Sequence, residues 1–471
     1  MIRRLFSRRL VAAIALAVVP ATVRAQTLTE AERARIDSAV AGVLRSTGAP
    51  SASIAIVRGG ALVYEHAAGT ARLDPAVPAG TAMRYAIGSV TKQFTGSAIL
   101  LLAEEGKLSL DDKVAKWLPD LTRAGEISLR QLLSMTAGYQ DYWPQDYVFT
   151  DMQGPIAAEA ILRRWAMKPL DFEPGTKWQY SNTNYVIAGV IAERVGGMPL
   201  MEFMRRRIFT PLGMTSATDF DAGPLDAQDA EPLLRHALGP LRRAPKEGKG
   251  WLFGAGHLAM TARDLAVWDI AVLNRSLLKP ASYQAQQTDM LLRNGLSTRY
   301  GLGVSLGTGV GGVRRISHGG AVSGYTTTND IYPDQNTAVV VFTNIYPGAA
   351  GATGQIAGRV AGILFAQTDS VAGAARDLAR RIYDGLAKGS LDAGLFTDNA
   401  KAYFSPAVIA DYQASLGPLG APTEFVSTGE SLRGGMTIRS YRIRAGSVVM
   451  DLTTMTLPDG RIEQYLIARA G

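Results

Sequence analysis

The spacing of apolar and polar residues along this chain switches repeatedly between helical and strand periods, and the switches lay out its architecture. Residues 31–46 mix charges with regularly spaced apolar positions, which predicts an exposed amphipathic helix. Residues 51–57 and 61–67 are rich in β-formers and flank Arg58-Gly59-Gly60; glycine accepts positive φ, so the two runs predict a hairpin. Between residues 90 and 105, Val90, Phe94, Ala98, Leu101 and Leu102 recur at helical spacing while Ile99 and Leu100 fill another face. Gly106 then supplies a stop, and the whole predicts a buried helix. Helical and loop stretches broken by Pro and Gly continue to about Leu292. Strand patterns return at residues 300–306, 313–317, 325–332 and 338–343, with Pro333-Asp334-Gln335-Asn336 as a turn.

Two early strands, a helical middle and several late strands imply one antiparallel sheet built from both ends of the sequence. The helical middle packs on that sheet, an α+β arrangement with a cleft expected where the two meet. The pattern weakens at residues 367–373, and a helix carrying Leu378, Ile382 and Leu386 opens a different order. Strands at 423–427, 436–443, 448–456 and 461–467 follow, separated by Gly or by Pro458-Asp459-Gly460, as an antiparallel meander. This reads as a second α+β domain of about 100 residues. In architecture it resembles the NTF2-like cone.

Composition changes this picture at the N-terminus only. The formal charge of +8 suggests a nucleic-acid or membrane surface until the charges are placed. Arg3, Arg4, Arg8, Arg9 and Arg24 fall in the first 25 residues, which hold no acid, so the remainder carries only +3. Nucleic acid is therefore not an expected partner. The Arg-rich start, the apolar run from Leu10 to Val19 and Val23-Arg24-Ala25 follow the order of a secretory signal, with cleavage expected after Ala25 and a periplasmic or secreted destination. A run of about 10 apolar residues is short for a bilayer span, so no stable anchor is expected after cleavage. Ser7-Arg8-Arg9-Leu10 also permits twin-arginine export. The expected division is signal 1–25, a catalytic domain 26–368 and a C-terminal domain 369–471. There is no Cys, which removes disulfides and thiol catalysis, and His66, His236, His257 and His318 make no ligand spacing, so no metal is expected.

Three short segments carry chemistry. Ser89-Val90-Thr91-Lys92 sits where the buried helix begins, placing a hydroxyl at the positive end of the helix dipole and an amine one turn on, facing the same way. A serine hydroxyl needs a base, and burial makes a lysine into one by lowering its pKa. Tyr180-Ser181-Asn182 follows Pro174-Gly175 in a loop: a phenol suited to relaying a proton, and an amide suited to holding a substrate carbonyl while bonding Lys92. His318-Gly319-Gly320 is placed at the end of a strand, where its glycines let a substrate approach the backbone. The N–H groups of Ser89 and Ala321 are then candidates for an oxyanion site. Each segment alone also reads structurally, as a helix cap, an aromatic under a turn, or a tight strand end.

Together, in this order and on these element types, the three resemble the family of class C β-lactamases, D-Ala-D-Ala carboxypeptidases and related serine esterases. Residues 83–118, 132–139, 172–214, 251–268 and 301–344 look like that family's recurrent segments, so the resemblance covers roughly residues 30 to 365. It implies a β-lactamase/transpeptidase-like fold, Ser89 as nucleophile, Lys92 and Tyr180 sharing base and acid duties, and Asn182 orienting the substrate. It implies no cofactor, and a small ester, amide or peptide as substrate. True class C β-lactamases carry Lys-Thr-Gly at the third motif, whereas this chain has His318 and Gly319; a neutral imidazole beside a residue without a hydroxyl grips an anion less firmly, which argues against efficient β-lactam hydrolysis. Met135 stands where the family often has His. Esterase and peptidase remain open, with a sensor that acylates without turnover and a true β-lactamase as alternatives. Oligomeric state is not legible.

Overall fold

A computed structural model describes residues 27–145, 147–349, 351–365 and 370–470. The expected signal segment and its cleavage site lie outside them. Helix α1 (Glu30–Thr47) begins with a reciprocal cap in which Thr29 accepts from the Glu32 N–H and the Glu32 carboxylate accepts from the Thr29 N–H. The expectation of an exposed helix holds for one face only, because Ile36, Val40 and Val43 are fully buried. Strands β1 (Ser51–Arg58), β2 (Ala61–Leu73) and β3 (Ala76–Pro78) follow, and Gly59 and Gly60 both take positive φ in the hairpin turn.

The helical middle contributes α2 (Thr91–Glu104), α3 (Asn182–Gly196) and α4 (Ala262–Asn274), among shorter pieces. The sheet is completed by β4 (Ser305–Thr308), β5 (Arg314–Val322), β6 (Tyr325–Tyr332) and β7 (Thr337–Thr343). Strand order is β3-β2-β1-β7-β6-β5-β4, so β1 and β7 close the sheet across nearly the whole chain, with Ile54 opposite Val341 and Ile56 opposite Val339.

Two expected strands differ from the pattern. Residues 300–304 are irregular and only β4 pairs with β5, because Gly303 takes φ 81° and lies against the Lys92 carbonyl. The predicted strand end at His318 is instead mid-strand: β5 runs on to Val322, paired with β6 from Ile316 onward. Glycines there weaken strand propensity, but cross-strand pairing overrides it.

Strand side chains alternate between two cores. Ile54, Ile56, Val339 and Val341 pack with α1 and α5 (Ala352–Phe365) on one face; Ala55, Val57, Val340 and Phe342 join the helical middle on the other. Burial on both faces explains the near-continuous apolar runs of β1 and β7. A third, separate core holds Tyr383 and Leu386 of α6 (Ser370–Leu386) against Ile443, Leu452 and Tyr465. These come from the antiparallel sheet β8-β9-β10-β11 (Glu424–Arg433, Met436–Ala445, Val448–Thr456, Ile462–Arg469).

A chain with separate cores unfolds in separate steps. Calorimetry is expected to show two transitions, and Leu452→Ala, at a fully buried site of the third core, is expected to cost about 2–5 kcal/mol in one of them only. A single transition shifted as a whole would join the two units into one.

Candidate active site

Ser89 stands on a single 3-10 turn, Gly88–Val90, immediately before α2. It does not cap the helix; the capping position is Val90, without a side-chain bond. Two glycines set its surroundings. Gly88 takes φ 51°, and a Cβ there would lie 2.7 Å from the Ala321 nitrogen. A Cβ on Gly320 would fall 1.9 Å from the Ile87 carbonyl oxygen and 3.2 Å from the Ser89 nitrogen. Only backbone without side chains packs this closely, so β5 lies directly against the Ser89 turn.

Lys92 is fully buried one helical turn from Ser89. Its Nζ lies 3.0 Å from Ser89 Oγ, 2.8 Å from Asn182 Oδ1 and 2.8 Å from the Ala255 carbonyl oxygen. Burial pushes the ammonium down to about 7, against the opposing charge of Asp141. In the neutral amine the two hydrogens go to Asn182 and Ala255, which accept only through those oxygens, and the lone pair is left facing the Ser89 hydroxyl. The rings of Tyr180 and Tyr185 flank Nζ, with centroids at 4.9 and 5.6 Å.

Tyr180 reaches the site from the loop before α3. Burial pushes its phenol well above the ordinary range, with the nearby Ser89 hydroxyl opposing the push. Asn182 opens α3, so its amide is fixed by the helix start. His318 Nδ1 lies 2.6 Å from the Gly319 carbonyl oxygen, which only accepts; Nδ1 therefore carries the proton, and Nε2 accepts from Tyr300 Oη at 2.8 Å. Burial and the charge of Lys92 push this imidazole down to about 4, so it is neutral and both its nitrogens are occupied. Ser89, Tyr180, Asn182, His318, Gly319, Gly320 and Ala321 all line one cleft of about 730 Å³, with Lys92 at its floor.

Several contributors were not legible in the sequence. Asp141 accepts from the Asn182 N–H at 3.0 Å, from the Trp143 N–H at 3.2 Å and from the Asn182 side-chain amide at 3.3 Å. The loop that delivers the Ala255 carbonyl is held by Asp221, which accepts from the Gly250 and Leu252 N–H groups, and by Glu247, which accepts from the Ser323 N–H just beyond β5. Burial pushes both carboxyls up to about 7. No spacing in the chain links any of these to Ser89. Met135 accepts from the Ser181 N–H through its sulfur at 3.5 Å, filling the position beneath the Tyr180 loop.

A penicillin-binding protein of Bacillus subtilis strain 168 is 28% identical over 309 residues, 62% of this chain and 67% of that protein. A D-aminopeptidase of Brucella anthropi is 29% identical over 308 residues, 64% of this chain and 57% of the longer relative. Among solved structures, the octameric penicillin-binding protein homologue from Pyrococcus abyssi superposes with a TM-score of 0.64 at 21% identity, covering 93% of this chain and 96% of that one. That likeness is of fold, and at this coverage it extends into the C-terminal sheet. The beta-lactamase family model matches residues 36–361, a span that takes in the whole seven-stranded sheet and every residue gathered around Ser89. The chain belongs to the beta-lactamase family of serine hydrolases.

Proposed function

We propose that this protein is an exported hydrolase of D-amino-acid amides and esters that works through an acyl-enzyme on Ser89. The observation that carries the mechanism is the Lys92 amine, desolvated, held on two sides and 3.0 Å from Ser89 Oγ. Ser89 Oγ attacks the acyl carbon and its proton passes to Nζ. Negative charge develops on the former carbonyl oxygen, between the N–H groups of Ser89 and Ala321. The proton then moves through the Tyr180 hydroxyl to the leaving amine or alcohol, and the C–N or C–O bond breaks. Water repeats the sequence on the acyl-enzyme, releasing the acid. Tyr180 acts as a neutral relay in this scheme, because its phenol is pushed up while the amine is pushed down.

Two features support an amide or ester over a β-lactam. His318 is neutral and has no hydrogen left to offer a carboxylate. The similarity to a D-aminopeptidase points the same way. No helix among the described residues is long and apolar enough to cross a membrane.

The direct test sets p-nitrophenyl esters, D-alanine p-nitroanilide and a fluorescent penicillin against the purified protein and Ser89→Ala. Turnover of ester and anilide, lost at least about 1000-fold in the variant, is the expected result. Stable penicillin labelling without turnover would indicate a sensor. The rate carries a pH signature whose sign follows from Lys92. Protonated amine accepts nothing, so kcat/KM for the ester is expected to fall tenfold per pH unit below about 7 and to level off above it. A flat profile from pH 5 to 8 removes Lys92 as the base. Gly320→Ala drives a methyl into the Ile87 carbonyl and moves β5 off the Ser89 turn; ester turnover is expected to drop by about 100-fold with unchanged circular dichroism.

A further inference from the structure

We propose that Asp141 recognises the free ammonium of the substrate, making the protein selective for amides and esters with an unblocked α-amine. This rests on the hydrolase reading above and adds a substrate class to it. Among the described residues lining the cleft, Asp141 is the one charged side chain; the rest are aromatic, amide, hydroxyl, aliphatic or glycine positions and the neutral His318. Its three hydrogen-bonding contacts, from Trp143 and Asn182, are all N–H donors, which favour the carboxylate against the burial that pushes its pKa up. Two of those donors fall on Oδ1, whereas Oδ2 receives a single long bond of 3.3 Å from the Asn182 amide. Oδ2 therefore keeps acceptor capacity.

The charge balance of the working enzyme sharpens this. Catalysis uses Lys92 as the neutral amine, and in that form the negative charge of Asp141 has no cation facing it. The titratable groups electrostatically coupled to Asp141 are Lys92, Tyr142 and Tyr180, and burial pushes both phenols upward, so neither supplies charge near neutral pH. A partly buried, uncompensated carboxylate attracts a cation far more strongly than a surface one. Asn182 spans the distance: its main-chain and side-chain N–H groups meet Asp141, and its Oδ1 meets the Lys92 Nζ that holds Ser89. An α-ammonium sits two bonds from the acyl carbon, so a substrate whose acyl carbon meets Ser89 carries its cation within the cleft that Asp141 also lines. The same charge repels a substrate carboxylate, in keeping with the saturated His318.

The experiment measures kcat/KM for D-alanine p-nitroanilide and N-acetyl-D-alanine p-nitroanilide with the wild-type protein and with Asp141→Asn. The wild type is expected to favour the free amine at least tenfold, and the variant to lose that preference through KM. An equal loss on both substrates would make Asp141 a positioning residue for Asn182 and overturn the inference while leaving the hydrolase reading intact. A wild-type measurement guards against misfolding of the variant: KM for the free-amine substrate is expected to rise above about pH 8, where an α-amine loses its proton, while KM for the acetylated one stays flat. Parallel KM curves overturn the proposal. No turnover of either anilide by the wild type overturns the inference, and no turnover of the p-nitrophenyl esters besides overturns the hydrolase reading as well.

Discussion

Everything around Ser89 depends on keeping one ammonium out of water. Lys92 lies inside a helix that is buried on nearly every side, and its pKa falls to about 7 because no solvent reaches it and Asp141 compensates only in part. A lysine at the surface stays protonated at neutral pH and removes no proton from a serine. The same burial obliges its hydrogens to find acceptors, and the two available, Asn182 Oδ1 and the Ala255 carbonyl, come from α3 and from the loop before α4. Orientation of the lone pair toward Ser89 is thus a by-product of satisfying the other two hydrogens.

That arrangement explains why the supporting structure is where it is. The Ala255 loop is tied down by Asp221 and Glu247, and Glu247 also holds Ser323 at the end of β5. One set of buried carboxyls therefore positions both the acceptor for Lys92 and the strand that lies against Ser89. The glycines at 88 and 320 remove the side chains that would separate turn from strand. Loss of either glycine acts on the Ser89 turn through backbone distance, with none of the polar side chains of the cleft replaced.

The chemistry of the cleft is set by what its polar groups have left to offer. His318 spends both nitrogens on Gly319 and Tyr300, so the position that holds a cation in related enzymes is here a neutral wall. Asp141 is the one charged side chain among the described residues lining that cleft.

Read from the sequence alone, local order is clear. The hairpin at Gly59-Gly60, the helix behind Ser89, the β6 strand and the C-terminal meander follow from periodicity and turn residues, because each is decided by neighbours in the chain. The approach of Lys92 to Ser89 was legible as well, since residues three apart face the same way on a helix. The tertiary structure decided the rest. Strand β5 runs through His318 because pairing with β6 outweighs the low propensity of its glycines. Asp141 and Tyr300 come from two separate segments, and Glu247 and Ala255 from a third, with no common spacing. Their roles arise from desolvation and hydrogen-bond completion, which exist only once distant stretches of chain exclude water together.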